Sequence, residues 1–181
     1  MHVYRRRIPH IDSPGCPVFL TWRLHGTLPA NRVFPVETLN SGQAFVAWDR
    51  LLDQAQCGPA YLRRPEAAAI VAAHIVSLAG TPSYYQLHAW VVMPNHVHLL
   101  VTPSVRLPEV TRGLKGATAR RVNQALGLSG ALWQDETFDR LVRNTGEFNR
   151  IVGYIEQNPV SAGLVSAPGQ YPWSSASGAP G

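Results

Sequence analysis

Residues Met93–Leu100 read MPNHVHLL, and this stretch predicts the centre of the fold. A Pro-Asn turn signal precedes a run with strand character, in which successive side chains point to opposite faces. His96 and His98 therefore share one face, while Val97 and Leu99 point into a core. Two neutral imidazoles on one face can converge on a cation. The alternative is a solvated strand face that carries two histidines by chance, because two ligands do not complete a metal site.

The surrounding sequence predicts helices interleaved with strands. Residues 84–92 form the other half of a hairpin with 96–102, and 18–24 and 138–142 are further strands. Apolar spacing, prolines and glycines predict four helices, over about 42–56, 65–80, 108–126 and 145–158. This order indicates an α+β fold with a ferredoxin-like antiparallel sheet and helices packed on one face.

Composition is that of a single globular domain. The chain has 181 residues, of which 45% are hydrophobic and 15% are charged. We predict a basic N-terminal arm (1–17), a folded domain (18–165) and an irregular C-terminal tail (166–181). A net charge of +5 is compatible with a polyanionic partner. No apolar run reaches the roughly 20 residues of a membrane span, and Cys16 and Cys57 are expected to be reduced thiols. We therefore expect a cytoplasmic protein with no membrane partner.

The fourth predicted helix offers a reacting group and another ligand. Tyr154 and Asn158 are four residues apart and so share a helical face. Tyr154 could instead be a half-buried core aromatic, and Asn158 a C-terminal cap before Pro159. By spacing alone these structural interpretations are favoured. His88, on the strand before the hairpin, is expected to pack rather than to bind a cation.

Several residue blocks, in order, resemble one known family. They are HAWVVMPNHVHLLVTP, LKGATARRVN, LWQDETFDRLVR, YIEQNPVSAGLV and YPWSS, all between about Val18 and Ser175. The chain resembles the REP-associated tyrosine transposases, which belong to the HUH single-tyrosine transposases. Residues 28–64 fall in a part that varies in length within the family.

The resemblance implies an HUH catalytic domain that nicks and rejoins single-stranded DNA beside REP-type hairpins. His96, His98 and Asn158 would bind Mg²⁺ or Mn²⁺, and Tyr154 would be the nucleophile that forms a 5′-phosphotyrosine. Relatives in the wider superfamily carry glutamine at the position of Asn158. A catalytically inactive, domesticated hairpin-binding protein is the alternative. A metal-dependent hydrolase of another class would need a carboxylate cluster that is not evident here.

The resemblance also implies DNA-binding side chains, a monomer rather than a homodimer, and a nucleoid-associated location. Basic side chains bind phosphates and aromatic rings stack on bases. The candidates are Arg5, Arg6, Arg7, Arg112, Lys115, Arg120, Trp133 and Gln134. Without the resemblance, the helix arginines would be interpreted as a solvated face and Trp133 as a core residue.

Overall fold

The computed structural model describes residues 15–27, 52, 58–80 and 83–178. Its strands are β1 (Val18–Arg23), β2 (Tyr85–Val92), β3 (His96–Pro103) and β4 (Phe138–Leu141), and its helices are α1 (Pro65–Leu78), α2 (Leu107–Leu126) and α3 (Thr145–Ser161). Short 3₁₀ turns cover Tyr61–Arg63, Pro168–Gln170 and Ser175–Ser177. Of the helix predicted for about 42–56, only Leu52 lies within the described residues, and the basic arm lies almost wholly outside them. No helix in the described ranges is long and apolar enough to cross a membrane.

The four strands form one antiparallel sheet in the order β2-β3-β1-β4. The hairpin of β2 and β3 is present as predicted, and β1 pairs with the other side of β3. In the β1–β3 register, Thr21 faces His98 and Arg23 faces His96. The predicted α+β fold with an antiparallel sheet is confirmed.

Helices cover both faces of this sheet. On one face, Leu20, Val97 and Leu99 pack with residues of α1 and α2. On the other face, Phe19 and Leu100 belong to a second core, to which α3 contributes its buried residue Ile155 together with Phe148, Ile151 and Val152. We predicted that the helices pack on one face of the sheet. This holds for α1 and α2, whereas α3 packs on the other face. The reason is that β1, β2 and β3 have buried residues on both faces, so each face needs a cover.

The face that α3 covers is the histidine face. His96 and His98 alternate with Val97 and Leu99, and both imidazoles are completely buried. The interpretation of the histidines as part of a solvated strand face is therefore wrong.

Part of the predicted irregular tail is joined to the edge of the sheet. Trp173 accepts a hydrogen bond from the Val92 amide (N···O 2.8 Å), and the Tyr171 hydroxyl donates to the Val92 carbonyl (2.9 Å). Burial raises the pKa of Tyr171 to about 12, which keeps this donor protonated. Residues of the tail thus form hydrogen bonds with backbone groups of β2 at an edge of the sheet, where these groups would otherwise be open to another strand.

The N-terminus of α3 is fixed to β4 through one buried carboxylate. Asn144 caps the helix by accepting from the Glu147 amide (2.9 Å), and Glu147 Oε2 accepts from the Arg143 amide (2.9 Å). Glu147 Oε1 lies 2.6 Å from Arg140 on β4. The hydrogen bond from the Arg143 amide, with the nearby Arg140 charge, lowers the pKa of Glu147.

We predict that Glu147→Gln lowers the free energy of unfolding by about 1–3 kcal/mol at pH 7, because it removes a buried charge-assisted pair. The lowered pKa means that this contribution is complete above about pH 4.3, the unfolded value, and is lost as the pH falls through the folded pKa. Urea unfolding at neutral and acidic pH measures both effects. Glu156→Gln, the same change elsewhere on α3, is the control. An equal effect of the two substitutions would contradict the anchoring role.

Candidate active site

The centre of the site is the pair of imidazoles on β3. The Nε2 atoms of His96 and His98 lie 3.0 Å apart, and the ring centroids are separated by 4.6 Å. Two nitrogen ligands that each lie about 2.1 Å from one cation, at right angles to each other, are themselves about 3.0 Å apart. The pair is therefore spaced as two neighbouring ligands of a single metal ion.

The outer nitrogen of each ring is held by a second buried side chain. His96 Nδ1 lies 2.6 Å from Asn95 Oδ1, and His98 Nδ1 lies 2.7 Å from Thr21 Oγ1. Thr21 reaches His98 because the two residues are paired across β1 and β3. These contacts orient both rings so that their Nε2 atoms face each other.

Helix α3 places Tyr154 beside the imidazole pair. The half-buried Tyr154 ring has its centroid 5.6 Å from that of His98 and 6.2 Å from that of Phe19, in edge-on geometry. Phe19 in turn stacks against His98, with centroids 5.7 Å apart. The predicted nucleophile and one predicted metal ligand are thus in direct ring contact.

Asn158 lies one turn beyond Tyr154 on α3 and is 2% exposed. The prediction that the helix ends near Asn158 is wrong, since α3 continues through Pro159 to Ser161 and Ala162 is its C-cap. The Asn158 carbonyl accepts from the Ala162 amide (2.9 Å) within this last turn. Pro159 lies inside this helix and is buried, so the bias of a residue before proline against helical conformation does not end the helix at Asn158. Asn158 is therefore not a helix cap.

A cation at this site would rely on nitrogen and amide ligands. Within the part of the chain that the structure describes, no three His, Cys, Asp or Glu side chains form a metal-binding cluster. His88 does not join the pair: a β-bulge in β2 turns it toward α3, where it contacts Phe148 and lies 2.7 Å from Thr102 Oγ1. Burial lowers the pKa of His88, as expected for a packed neutral imidazole. Two imidazoles and an amide suit a weak site whose remaining ligands are oxygens of water or substrate.

Two arginines of the third predicted helix, which were predicted to bind DNA, lie on the side of the sheet opposite to the histidine pair. Arg112 and Arg120 are exposed on α2 and line, with Arg106 and Tyr84, an open groove of about 700 Å³. Because α2 and α3 cover different faces, this groove is separated from the histidine pair by the sheet.

Other DNA-binding candidates have structural contacts. Lys115 donates to the carbonyls of Gln134 (2.6 Å) and Asp135 (2.8 Å), so its ammonium group holds that loop. Trp133 is 5% exposed, and its indole donates to Thr118 Oγ1 (3.0 Å), so its ring has no free face on which a base could stack. The half-buried Gln134 donates its backbone amide to the Arg23 carbonyl, while residues 5–7 lie outside the described ranges.

Three residues near the histidines were not singled out from the sequence: Thr21, Arg23 and Asn95. Arg23 is half-buried and, by strand alternation, points to the same face as Thr21 and its cross-strand neighbour His96. Burial lowers the pKa of Arg23 and the Glu136 charge opposes this, but an arginine remains protonated. The sequence did contain a signal for two of these residues, because polar Thr21 and Arg23 alternate within an otherwise apolar strand.

Comparison with known proteins agrees with the fold and the motifs. The sequence model of the family described as "Transposase IS200 like" matches residues 71–158. A REP-associated tyrosine transposase of Escherichia coli K12 is 31% identical over 93 residues, which cover 50% of this chain and 53% of that protein. The chain thus spans about half the length of this curated relative.

Two solved structures are also similar. A REP-associated tyrosine transposase bound to a REP hairpin matches with a TM-score of 0.55 and 24% identity, over 96% of this chain and 82% of that one. A transposase from Deinococcus radiodurans matches with a TM-score of 0.37 and 21% identity, over 87% and 98%. The first structure supports the fold. Residues 71–158 of this chain are similar to the IS200-like transposases, and the chain is similar to the REP-associated tyrosine transposases, which is the resemblance that its sequence motifs predicted.

Proposed function

We propose that this protein is a metal-dependent DNA transesterase that nicks and rejoins single-stranded DNA beside REP-type hairpins. The observation that carries the proposal is the contact of the Tyr154 ring with His98, whose Nε2 is spaced for a shared cation with that of His96. A phenol ring beside two imidazoles that could share a cation is consistent with a tyrosine nucleophile that attacks a metal-bound phosphate.

The proposed ligands are His96, His98 and Asn158. Both histidines would use Nε2, and Asn158 would use its amide oxygen from α3. Mg²⁺ or Mn²⁺ bound there would polarise a non-bridging phosphate oxygen, and imidazole ligands suit Mn²⁺ better. All three side chains are buried, so packing restricts their positions before a cation binds.

The proposed chemistry on the protein side begins with Tyr154. Its hydroxyl oxygen forms a bond to the scissile phosphorus and loses its proton, while the bond from phosphorus to the 3′ oxygen breaks. The 3′ oxygen leaves with the electron pair and takes up a proton, so a 5′-phosphotyrosine and a 3′-hydroxyl result. Because the phosphoester bond is exchanged rather than hydrolysed, the reverse attack rejoins DNA without ATP. Arg23, on the same face, would offset the phosphate charge.

DNA binding would use surfaces beyond this site. Arg112 and Arg120 are exposed on the far side of the sheet and would bind backbone phosphates of the hairpin, as would Arg5, Arg6 and Arg7. Lys115 and Gln134 would act through the loop that they share. The related structure is of a transposase bound to a REP hairpin, which favours this substrate. Action as a monomer on chromosomal DNA in the cytoplasm stays a prediction.

We predict that Tyr154→Phe abolishes the covalent protein–DNA adduct, by at least about 10³-fold, because the nucleophilic oxygen is lost. The assay uses labelled hairpin oligonucleotides with single-stranded flanks from the source genome, with Mn²⁺, resolved on denaturing gels. Hairpin affinity should change by less than about threefold, since the phenylalanine ring keeps its contact with His98.

Tyr61→Phe is the matched control for this experiment, because Tyr61 is exposed, lies outside α3 and loses the same hydroxyl group. An adduct that persists in Tyr154→Phe contradicts the nucleophile. Tight hairpin binding without any adduct from the unmodified protein would instead support the inactive, hairpin-binding alternative.

We also predict that His96→Ala weakens Mn²⁺ binding by at least about 100-fold, since it removes a direct ligand. Mn²⁺ affinity is measured by electron paramagnetic resonance of the free ion, without DNA. His88→Ala removes an imidazole from the same sheet without touching the pair, and it should leave the affinity within about twofold. Equal loss in both variants would contradict the assignment of the metal pair.

A further inference from the structure

We infer that Asn95 and Thr21 are positioning residues: Asn95 fixes which nitrogen of His96 carries hydrogen, and Thr21 permits His98 to carry its hydrogen on either nitrogen. This inference rests on the proposed role of His96 and His98 as metal ligands. A histidine can bind a cation through Nε2 only when its hydrogen is on Nδ1, and a partner of Nδ1 fixes that choice. Asn95 and Thr21 are the residues in contact with the two Nδ1 atoms.

The first step is the orientation of the Asn95 amide. Its Nδ2 lies 2.9 Å from the carbonyl oxygen of Leu52. A carbonyl can only accept, so the NH₂ group must face Leu52 and the Oδ1 atom must face His96. The turn that carries this side chain is itself held, because the Asn95 carbonyl accepts from the Leu24 amide at 2.8 Å.

The orientation of Asn95 determines the tautomer of His96. An amide oxygen can only accept, so the 2.6 Å contact requires the hydrogen on His96 Nδ1. A neutral imidazole with hydrogen on Nδ1 has its lone pair on Nε2. The chain of contacts from Leu52 through Asn95 therefore prepares His96 as a ligand before any cation arrives.

His98 behaves differently because its partner is a hydroxyl. Without a cation, the 3.0 Å contact between the two Nε2 atoms is a hydrogen bond in which the His96 lone pair accepts from Nε2–H of His98. His98 Nδ1 then accepts from the Thr21 hydroxyl. A shared cation requires the His98 hydrogen on Nδ1, with Thr21 Oγ1 as acceptor. A hydroxyl can fill either role, so the proton count of the pair need not change.

The two positioning residues thus have different tasks. Asn95 fixes one ring permanently, whereas Thr21 permits the other ring to change tautomer when the cation binds. Both side chains are buried, Asn95 at 7% and Thr21 at 0% exposure, so water does not replace these contacts. Loss of either one should lower metal affinity without removing a direct ligand.

The direct test is long-range ¹H–¹⁵N nuclear magnetic resonance of the metal-free protein labelled at histidine nitrogen. We expect hydrogen on Nδ1 of His96 and on Nε2 of His98. The assignment uses His96→Gln and His98→Gln, each of which removes one set of signals. Hydrogen on Nε2 of His96 in the unmodified protein would overturn the inference, and this measurement depends on no substitution of Asn95 or Thr21.

A second test measures Mn²⁺ affinity in matched variants. Thr21→Val keeps the shape of the side chain but removes the hydroxyl, and we expect about 10- to 100-fold weaker binding. Thr21→Ser keeps the hydroxyl and should stay within about threefold. Asn95→Leu should weaken binding to a similar extent as Thr21→Val. Unchanged affinity in a folded Thr21→Val, verified by thermal unfolding, would overturn the role of Thr21.

The outcomes separate this inference from the proposed function. If the tautomers are as expected and Tyr154 forms no adduct, the transesterase proposal fails while the positioning role stands. If His96→Ala leaves Mn²⁺ affinity unchanged, the metal pair itself is wrong. If only the tautomers differ, the positioning role alone is wrong.

Discussion

The alternation of side chains along β3 is the constraint on which the rest of the structure depends. This strand lies inside the sheet and is covered on both faces, so each of its residues belongs to one of two cores. Val97 and Leu99 stabilise the core beneath α1 and α2. His96 and His98 are consequently directed into the other core, where α3 covers them. A shift of register by one residue would exchange these faces and place the imidazoles among aliphatic side chains.

Burial of two imidazoles is costly unless their nitrogens have partners. The fold meets this cost with contacts from three places: the turn before β3, the neighbouring strand β1 and the opposite histidine. Each contact also has a consequence for chemistry, because it orients a ring, and the Asn95 contact in addition fixes the position of the hydrogen on His96. The same polar groups that make burial tolerable therefore organise the proposed metal site. The caps and the ion pair at the start of α3 extend this organisation to the tyrosine helix.

The two sides of the sheet are suited to different tasks. The α3 side contains the imidazole pair, the Tyr154 phenol and the half-buried Arg23, which together suit phosphoryl chemistry. The α2 side presents exposed arginines beside a groove, which suits contact with a polyanion. A hairpin that engaged both sides would have to pass around an edge of the sheet. The β2 edge is partly occupied by the docked tail, through Tyr171 and Trp173.

The sequence by itself determined the relations that follow from local periodicity. Strand alternation put His96 and His98 on one face, and helical spacing put Tyr154 and Asn158 on another, without knowledge of where either face would lie. Only the tertiary structure decided that these two faces meet, because the cover for the second side of the sheet comes from α3, about 50 residues later. It also decided that α3 continues through Pro159, that Trp133 is a core residue and that Lys115 holds a loop. These outcomes depend on packing and on hydrogen bonds between residues distant in sequence, as do the contacts of Thr21 and Asn95, and periodicity carries no information about such contacts.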